Sequence, residues 1–97
     1  MLYRIELTNR AAKSFRKLPK RAQGKIGPAI DRLAESPRPP ASRALRNSEL
    51  LRIRIGDYRI VYEVQDRVLL VLVILVGDRK NIFKKLKQLG RSQENGL

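Results

Sequence analysis

The chain contains no histidine and no cysteine. The first absence removes imidazole as a general acid or base and, with it, most zinc sites. The second removes disulfides and thiolate metal sites. No cofactor and no metal are expected. Acidic residues are scarce as well: 9 Asp+Glu stand against 22 Lys+Arg, a formal net charge of +13. Such an excess points to polyanionic partners: nucleic acid, a ribosome or an acidic protein. The longest apolar run, Val68–Val76, is too short to cross a bilayer as a helix. The first residues, MLYRIELTNR, carry no apolar signal-peptide core. A cytoplasmic location without membrane partners follows by default.

What is present is a folded domain. A content of 42% hydrophobic residues is too apolar for a disordered basic tail. At 97 residues one domain is expected, spanning residues 1–90, with residues 91–97 as a frayed tail. A chain of this size buries roughly 60–65% of its unfolded surface, so every element must contribute to a small core.

The most informative stretch is Leu51–Tyr62. Apolar and basic residues alternate with period two on both sides of Gly56-Asp57, which predicts a β-hairpin. Glycine first in a two-residue loop is the type II′ signal, because that position needs φ > 0. The register then sets Ile55 against Tyr58, Arg54 against Arg59, Ile53 against Ile60 and Arg52 against Val61. One face holds Leu51, Ile53, Ile55, Tyr58, Ile60 and Tyr62 and belongs to the core. The other collects Arg52, Arg54 and Arg59. Like charges opposite each other are unfavourable in a sheet, so removing Arg54 or Arg59 should relieve repulsion. The three guanidiniums read either as the solvated face of a sheet or as a seat for an anion.

The rest of the chain frames this hairpin. Leu2–Leu7 reads as a first strand, and Thr8 and Asn9 are good helix N-caps. Ala11, Ala12, Phe15 and Leu18 recur at helical spacing, and Pro19 ends that helix and opens the next. Ala22, Ile26, Ala29, Ile30 and Leu33 continue a second helix, kinked at Gly27-Pro28. From Arg10 to Lys25 there are basic residues and no acidic ones, which suits either a solvated helix face or a phosphate-tracking surface. Ser36–Asn47 is a proline-rich loop anchored by Leu45. Val68–Val76 is apolar without alternation, the pattern of a central strand buried on both faces. Asp78 caps a last helix whose apolar stripe is Ile82, Phe83, Leu86 and Leu89, with Gly90 as its stop.

The hairpin Leu51–Tyr62, the segment Val76–Phe83 and the first-helix residues Ala12, Lys13, Phe15, Lys17 and Leu18 resemble the motifs of the RelE/ParE superfamily of toxin–antitoxin toxins. The resemblance covers roughly Leu2 to Leu86. It implies an α+β fold of order β-α-α-β-β-β-α: a mostly antiparallel four-stranded sheet, a helical hairpin on one face and a short C-terminal helix. For the RelE branch it implies a ribosome-dependent endoribonuclease, an mRNA interferase that cuts mRNA in the A site through attack by the RNA's own 2′-hydroxyl. Carried over by position, Arg54, Arg59 and Arg79 are the implied catalytic residues. Arg52, Lys80, Phe83 and Lys84 are the implied RNA-binding ones. The implied partners are an acidic RelB-like antitoxin, in a toxin–antitoxin hetero-oligomer, and the ribosome with its mRNA.

Guanidiniums suit this chemistry, because the pentacoordinate phosphorane carries more negative charge than the ground state. The sequence departs from the family pattern twice. Phe83 stands where relatives carry a tyrosine, so it can stack on a base or fill the core but cannot move a proton. Asp78 stands where many relatives carry His or Lys. Lys80, Lys84 and Tyr62 are the remaining candidates for proton transfer. Two other functions stay open: a ParE-like inhibitor of DNA gyrase, and a non-catalytic ribosome- or RNA-binding module. The basic last helix is expected to be separable, so that deleting Lys80–Leu97 leaves a folded core.

Overall fold

The computed structural model describes residues 2–95, with side chains through Gln88. The elements are β1 (Arg4–Leu7), α1 (Asn9–Lys17), α2 (Lys20–Arg32), β2 (Arg43–Ala44), β3 (Leu51–Ile55), β4 (Tyr58–Gln65), β5 (Leu70–Asp78) and α3 (Arg79–Asn95). The strands form one five-stranded sheet in the order β1-β5-β4-β3-β2. β1 runs parallel to β5, and every other neighbouring pair is antiparallel. The fold is α+β, as the sequence implies.

The hairpin register is the one the turn dictates. Ile55 pairs with Tyr58, Arg54 with Arg59, Ile53 with Ile60 and Arg52 with Val61. Gly56 takes φ +58°, the conformation for which glycine is needed at that corner. The apolar run forms β5 from Leu70 onward, while Val68 lies exposed in the preceding turn; the place of β5 between β1 and β4 accounts for its lack of alternation.

Two cores lie on opposite faces of the sheet. On the first, Ala11 of α1 and Ala22, Ile26, Ala29 and Ile30 of α2 pack on Ile53, Ile60, Tyr62, Val71 and Val73. On the second, Ile82 of α3 packs on Val61 and Leu75, with Leu45, Leu50 and Leu86 around them. Thr8 caps α1, its hydroxyl accepting from the Ala11 amide at 3.1 Å. Asp78 caps α3, accepting from the Asn81 amide at 2.8 Å. α2 remains one helix through Pro28.

Three expectations are corrected. The sheet has five strands, not four, because Arg43 and Ala44 in the proline-rich loop pair with Arg52 and Leu51. A two-residue strand offers no alternation to read. The last helix is not short, since α3 continues past Gly90 to Asn95. An interior glycine costs a helix only about 1 kcal/mol, which its other residues offset. Gly96 and Leu97, the end of the expected tail, lie outside the described residues. Finally, α3 is built into the second core rather than standing apart from it. Ile82 is 2% exposed against the fully buried Val61, so deleting residues 80–97 would strip the second core of its cover.

Candidate functional site

β3, β4 and α3 converge on a cleft of about 220 Å³ lined by Leu45, Arg52, Arg54, Arg59, Arg79, Ile82, Phe83 and Leu86. Alternation along β3 puts Arg52 and Arg54 on the face that α3 covers. The cross-strand pair brings Arg59 to the same side. Arg79 is set by backbone: its amide donates to the Asp57 carbonyl at 2.9 Å, which ties the first residue of α3 to the hairpin turn. Ile82 faces the sheet one turn into the helix. Phe83 stands beside it and remains 61% exposed, an apolar ring at the mouth of a basic cleft.

Arg59 is the unusual member. It is only 6% exposed. Its guanidinium donates to the carbonyls of Gly56 at 3.1 Å and Tyr58 at 2.9 Å. No carboxylate pairs with it; among the described residues the ion pairs are Arg4–Glu6 and Arg38–Asp66. Burial first, then the charges of Arg54, Arg52 and Arg79, push its pKa below the ordinary arginine value. A buried cation surrounded by cations is costly unless something negative completes it. The wall therefore supplies concentrated positive charge, with Arg59 held in place before any ligand arrives. Such a site can bind a phosphodiester and favours a more highly charged form of it.

Five of the sequence-derived site residues meet in this cleft: Arg52, Arg54, Arg59, Arg79 and Phe83. Lys80 and Lys84 are exposed on α3 and do not line it. Tyr62 is fully buried in the first core, its hydroxyl donating to the Pro37 carbonyl at 2.7 Å, and takes no part. The apolar wall of Leu45, Ile82 and Leu86 carries no site signal in the sequence. Leu45 was legible only as a loop anchor, and the others only as a helix stripe. Among the described residues no cluster of His, Cys, Asp or Glu could hold a metal ion, and no helix is long and apolar enough to cross a membrane.

Fold and cleft together define a small basic α+β protein whose last helix roofs an arginine-lined sheet face. A family model described as the ParE toxin of the type II toxin–antitoxin system parDE matches residues 5–83. The chain is 33% identical over 82 residues to the mRNA interferase toxin RelE of Escherichia coli K12, which covers 82% of this chain and 86% of that one. It superposes on E. coli toxin RelE, in a mutant form in the free state, with a TM-score of 0.77 and 28% identity, covering 94% of this chain and 98% of the other. It also superposes on the RelBE2 toxin–antitoxin complex of Mycobacterium tuberculosis, with a TM-score of 0.73 and 26% identity over 81% of this chain and 100% of that one. The chain belongs to the RelE/ParE family of type II toxin–antitoxin toxins.

Proposed function

We propose that this toxin is a ribosome-dependent mRNA endonuclease. The observation that supports the reading best is the buried Arg59 guanidinium, in no ion pair among the described residues and held in one cleft with Arg52, Arg54 and Arg79. The scissile phosphate sits among these arginines. The RNA's 2′-hydroxyl attacks the phosphorus, the 5′-oxygen of the next nucleotide leaves, and a 2′,3′-cyclic phosphate remains. Arg54, Arg59 and Arg79 stabilise the charge that builds on the phosphorane, and Arg52 holds the strand. Phe83, at the rim, stacks on a base next to the cut. Lys80 and Lys84 lie outside the cleft and contribute long-range attraction to RNA.

Four arginines and apolar side chains offer no general base at neutral pH, since a guanidinium stays protonated far above neutrality. The protein then supplies charge, while the ribosome supplies the strand conformation and the route for the proton. This argues for little activity on naked RNA. The toxin acts in the cytoplasm and is neutralised by an acidic RelB-like antitoxin, which the net charge of +13 favours.

Primer extension on mRNA from cells expressing the chain tests this reading, beside cleavage by the pure protein of free and ribosome-bound RNA. Discrete cuts within translated frames, absent from protein-free RNA, are expected. The match to the ParE family model favours a second reading, inhibition of DNA gyrase. Intact mRNA with induced DNA damage would select it. Intact mRNA with stalled translation would instead mark a ribosome binder.

A further inference from the structure

α1 and α3 pack on opposite faces of the sheet, yet side chains join them across its edge. The Lys85 ammonium donates to the Ser14 hydroxyl of α1 at 2.9 Å and to the Val76 carbonyl of β5 at 3.1 Å. The reason it can reach lies in the sheet edge. β1 pairs with β5 only as far as Val73, so β5 runs on without a strand neighbour on that side. A bulge at Ile74, between the partners of Val61 and Tyr62, resets the direction of the following carbonyls. Side chains then stand in for the missing strand. The Thr8 hydroxyl donates to the Ile74 carbonyl at 3.0 Å, and Lys85 serves Val76 two residues on.

Lys85 is poorly placed for a purely solvating role. It is half-buried, whereas its neighbour Lys84 is exposed. Burial and the charges of Arg10 and Lys17 push its pKa down, with only Asp78 opposing. Gly77 leaves room for it, since a β-carbon there would come within 3.3 Å of the ammonium. A second tie runs alongside: Arg10 of α1 donates to Gln88 of α3 at 2.6 Å. Arg10 and Ser14 are one turn apart on α1, and Lys85 and Gln88 one turn apart on α3, so the two helices are laced across the open edge.

We infer that Lys85 is a positioning residue: with the first residue of α3 tied to the hairpin turn, Lys85 clips the helix to Ser14 and to the Val76 carbonyl and so fixes the direction in which α3 carries Phe83 and the Arg79 side chain over the arginine cleft. Ile82 and Leu86 give α3 its apolar seat, but apolar contacts are non-directional and leave the helix beyond its anchored first residue free to swing or rotate. Two hydrogen bonds from a cation remove that freedom. The inference rests on the proposed nuclease reading for its catalytic consequence, but not for the clip itself.

The test uses the full chain with Lys85→Met, which keeps the aliphatic stem and loses the donors, and Ser14→Ala, which removes one acceptor from the other helix. Amide hydrogen exchange reports on α3 docking, and single-turnover cleavage on programmed ribosomes separates saturating rate from half-saturating concentration. Exchange should quicken in α3 and not in β4 or α2. The saturating rate of Lys85→Met should fall roughly tenfold to a hundredfold, as expected for a reacting group misplaced by about 1 Å, and that of Ser14→Ala less. The half-saturating concentration should move much less than the rate. Unchanged α3 exchange, exchange that rises evenly over the whole chain, or faster α3 exchange at a full saturating rate would each overturn the inference. If the parent chain cuts nothing on ribosomes, the nuclease reading fails, and α3 exchange still decides whether Lys85 holds the helix.

Discussion

Arg54 and Arg59 stand directly opposite each other in the β3–β4 ladder, one exposed and the other buried. The two therefore differ in what they give the fold. Arg54 makes no side-chain hydrogen bond among the described residues and repels its partner. Arg59 spends its donors on the Gly56 and Tyr58 carbonyls and braces the turn. Arg54→Ala should raise stability by roughly 0.2–1 kcal/mol through relief of the cross-strand repulsion. Arg59→Ala should lower it by about 1–2 kcal/mol, because two charge-assisted hydrogen bonds outweigh that relief. Thermal and denaturant melts of the two variants check the sign of each. Relief is thus expected on losing the exposed arginine and not on losing the buried one.

The arginines and the helix lysines should fail in different ways. Loss of Arg59 or Arg79 from the cleft should cost about 2.7–4 kcal/mol in the cleavage barrier, a hundred- to thousandfold in rate. Lys17 and Lys20 are exposed, on the acid-free stretch from Arg10 to Lys25. Their loss should weaken ribosome binding modestly and flatten its salt dependence. Single-turnover cleavage at several salt concentrations separates the two classes. Near-normal cleavage by Arg59→Ala, with cleavage lost on Lys17→Ala, would place the chemistry on the other face of the molecule.

How much of this could be read beforehand depended on sequence separation. The Arg52, Arg54 and Arg59 cluster follows from one turn glycine and period two, so the hairpin face was legible residue by residue. Whether that face met water or protein was not. Its roof, α3, begins at Arg79 and is held by Ile82 on Val61 and Leu75, contacts that no local pattern encodes. The burial of Arg59 is therefore a tertiary fact, and so is the exclusion of Lys80 and Lys84 from the cleft. Lys85 and Ser14 are 71 positions apart, and in sequence Lys85 is one more basic residue in a basic helix. The bulge at Ile74 hides inside an unbroken apolar run.

Asp66 gives the fold a pH dependence at the sheet end away from the cleft. Arg38 grips its carboxylate with two hydrogen bonds, at 3.1 and 2.8 Å, and the Tyr3 hydroxyl donates at 2.6 Å. The Arg38 bonds first, then the Tyr3 bond, hold its pKa down at about 2, from an ordinary 3.8. A depressed carboxylate pKa adds stability above the unfolded-state value, and that stability is lost as pH falls through the folded-state value. Asp66→Asn should therefore melt below the parent at neutral pH, by a small margin because the group is exposed. The gap should close as the pH falls from 3.8 toward 2. A gap that persists unchanged at the acid end would show that charge on Asp66 is not what the fold uses.

Phe83 decides between an apolar anchor and a base-stacking platform. Its ring is 61% exposed at the mouth of the cleft, while Ile82 beside it does the packing at 2% exposure. A core role would make Phe83→Ala costly to folding, as large-to-small changes in cores cost about 3–5 kcal/mol for phenylalanine. At this exposure the melting point should hardly move. Stacking on a base is worth about 1–3 kcal/mol, so Phe83→Ala should weaken productive mRNA engagement by roughly 5- to 150-fold. Phe83→Tyr keeps the π-face, so engagement should be preserved. A hydroxyl at that rim also gives the cleft a group able to move a proton, so its saturating cleavage rate should equal or exceed the parent's. The measurement is single-turnover cleavage against toxin concentration for the three side chains, with melts alongside. If Phe83→Ala binds and cuts like the parent while losing stability, the ring is an anchor and the stacking role falls.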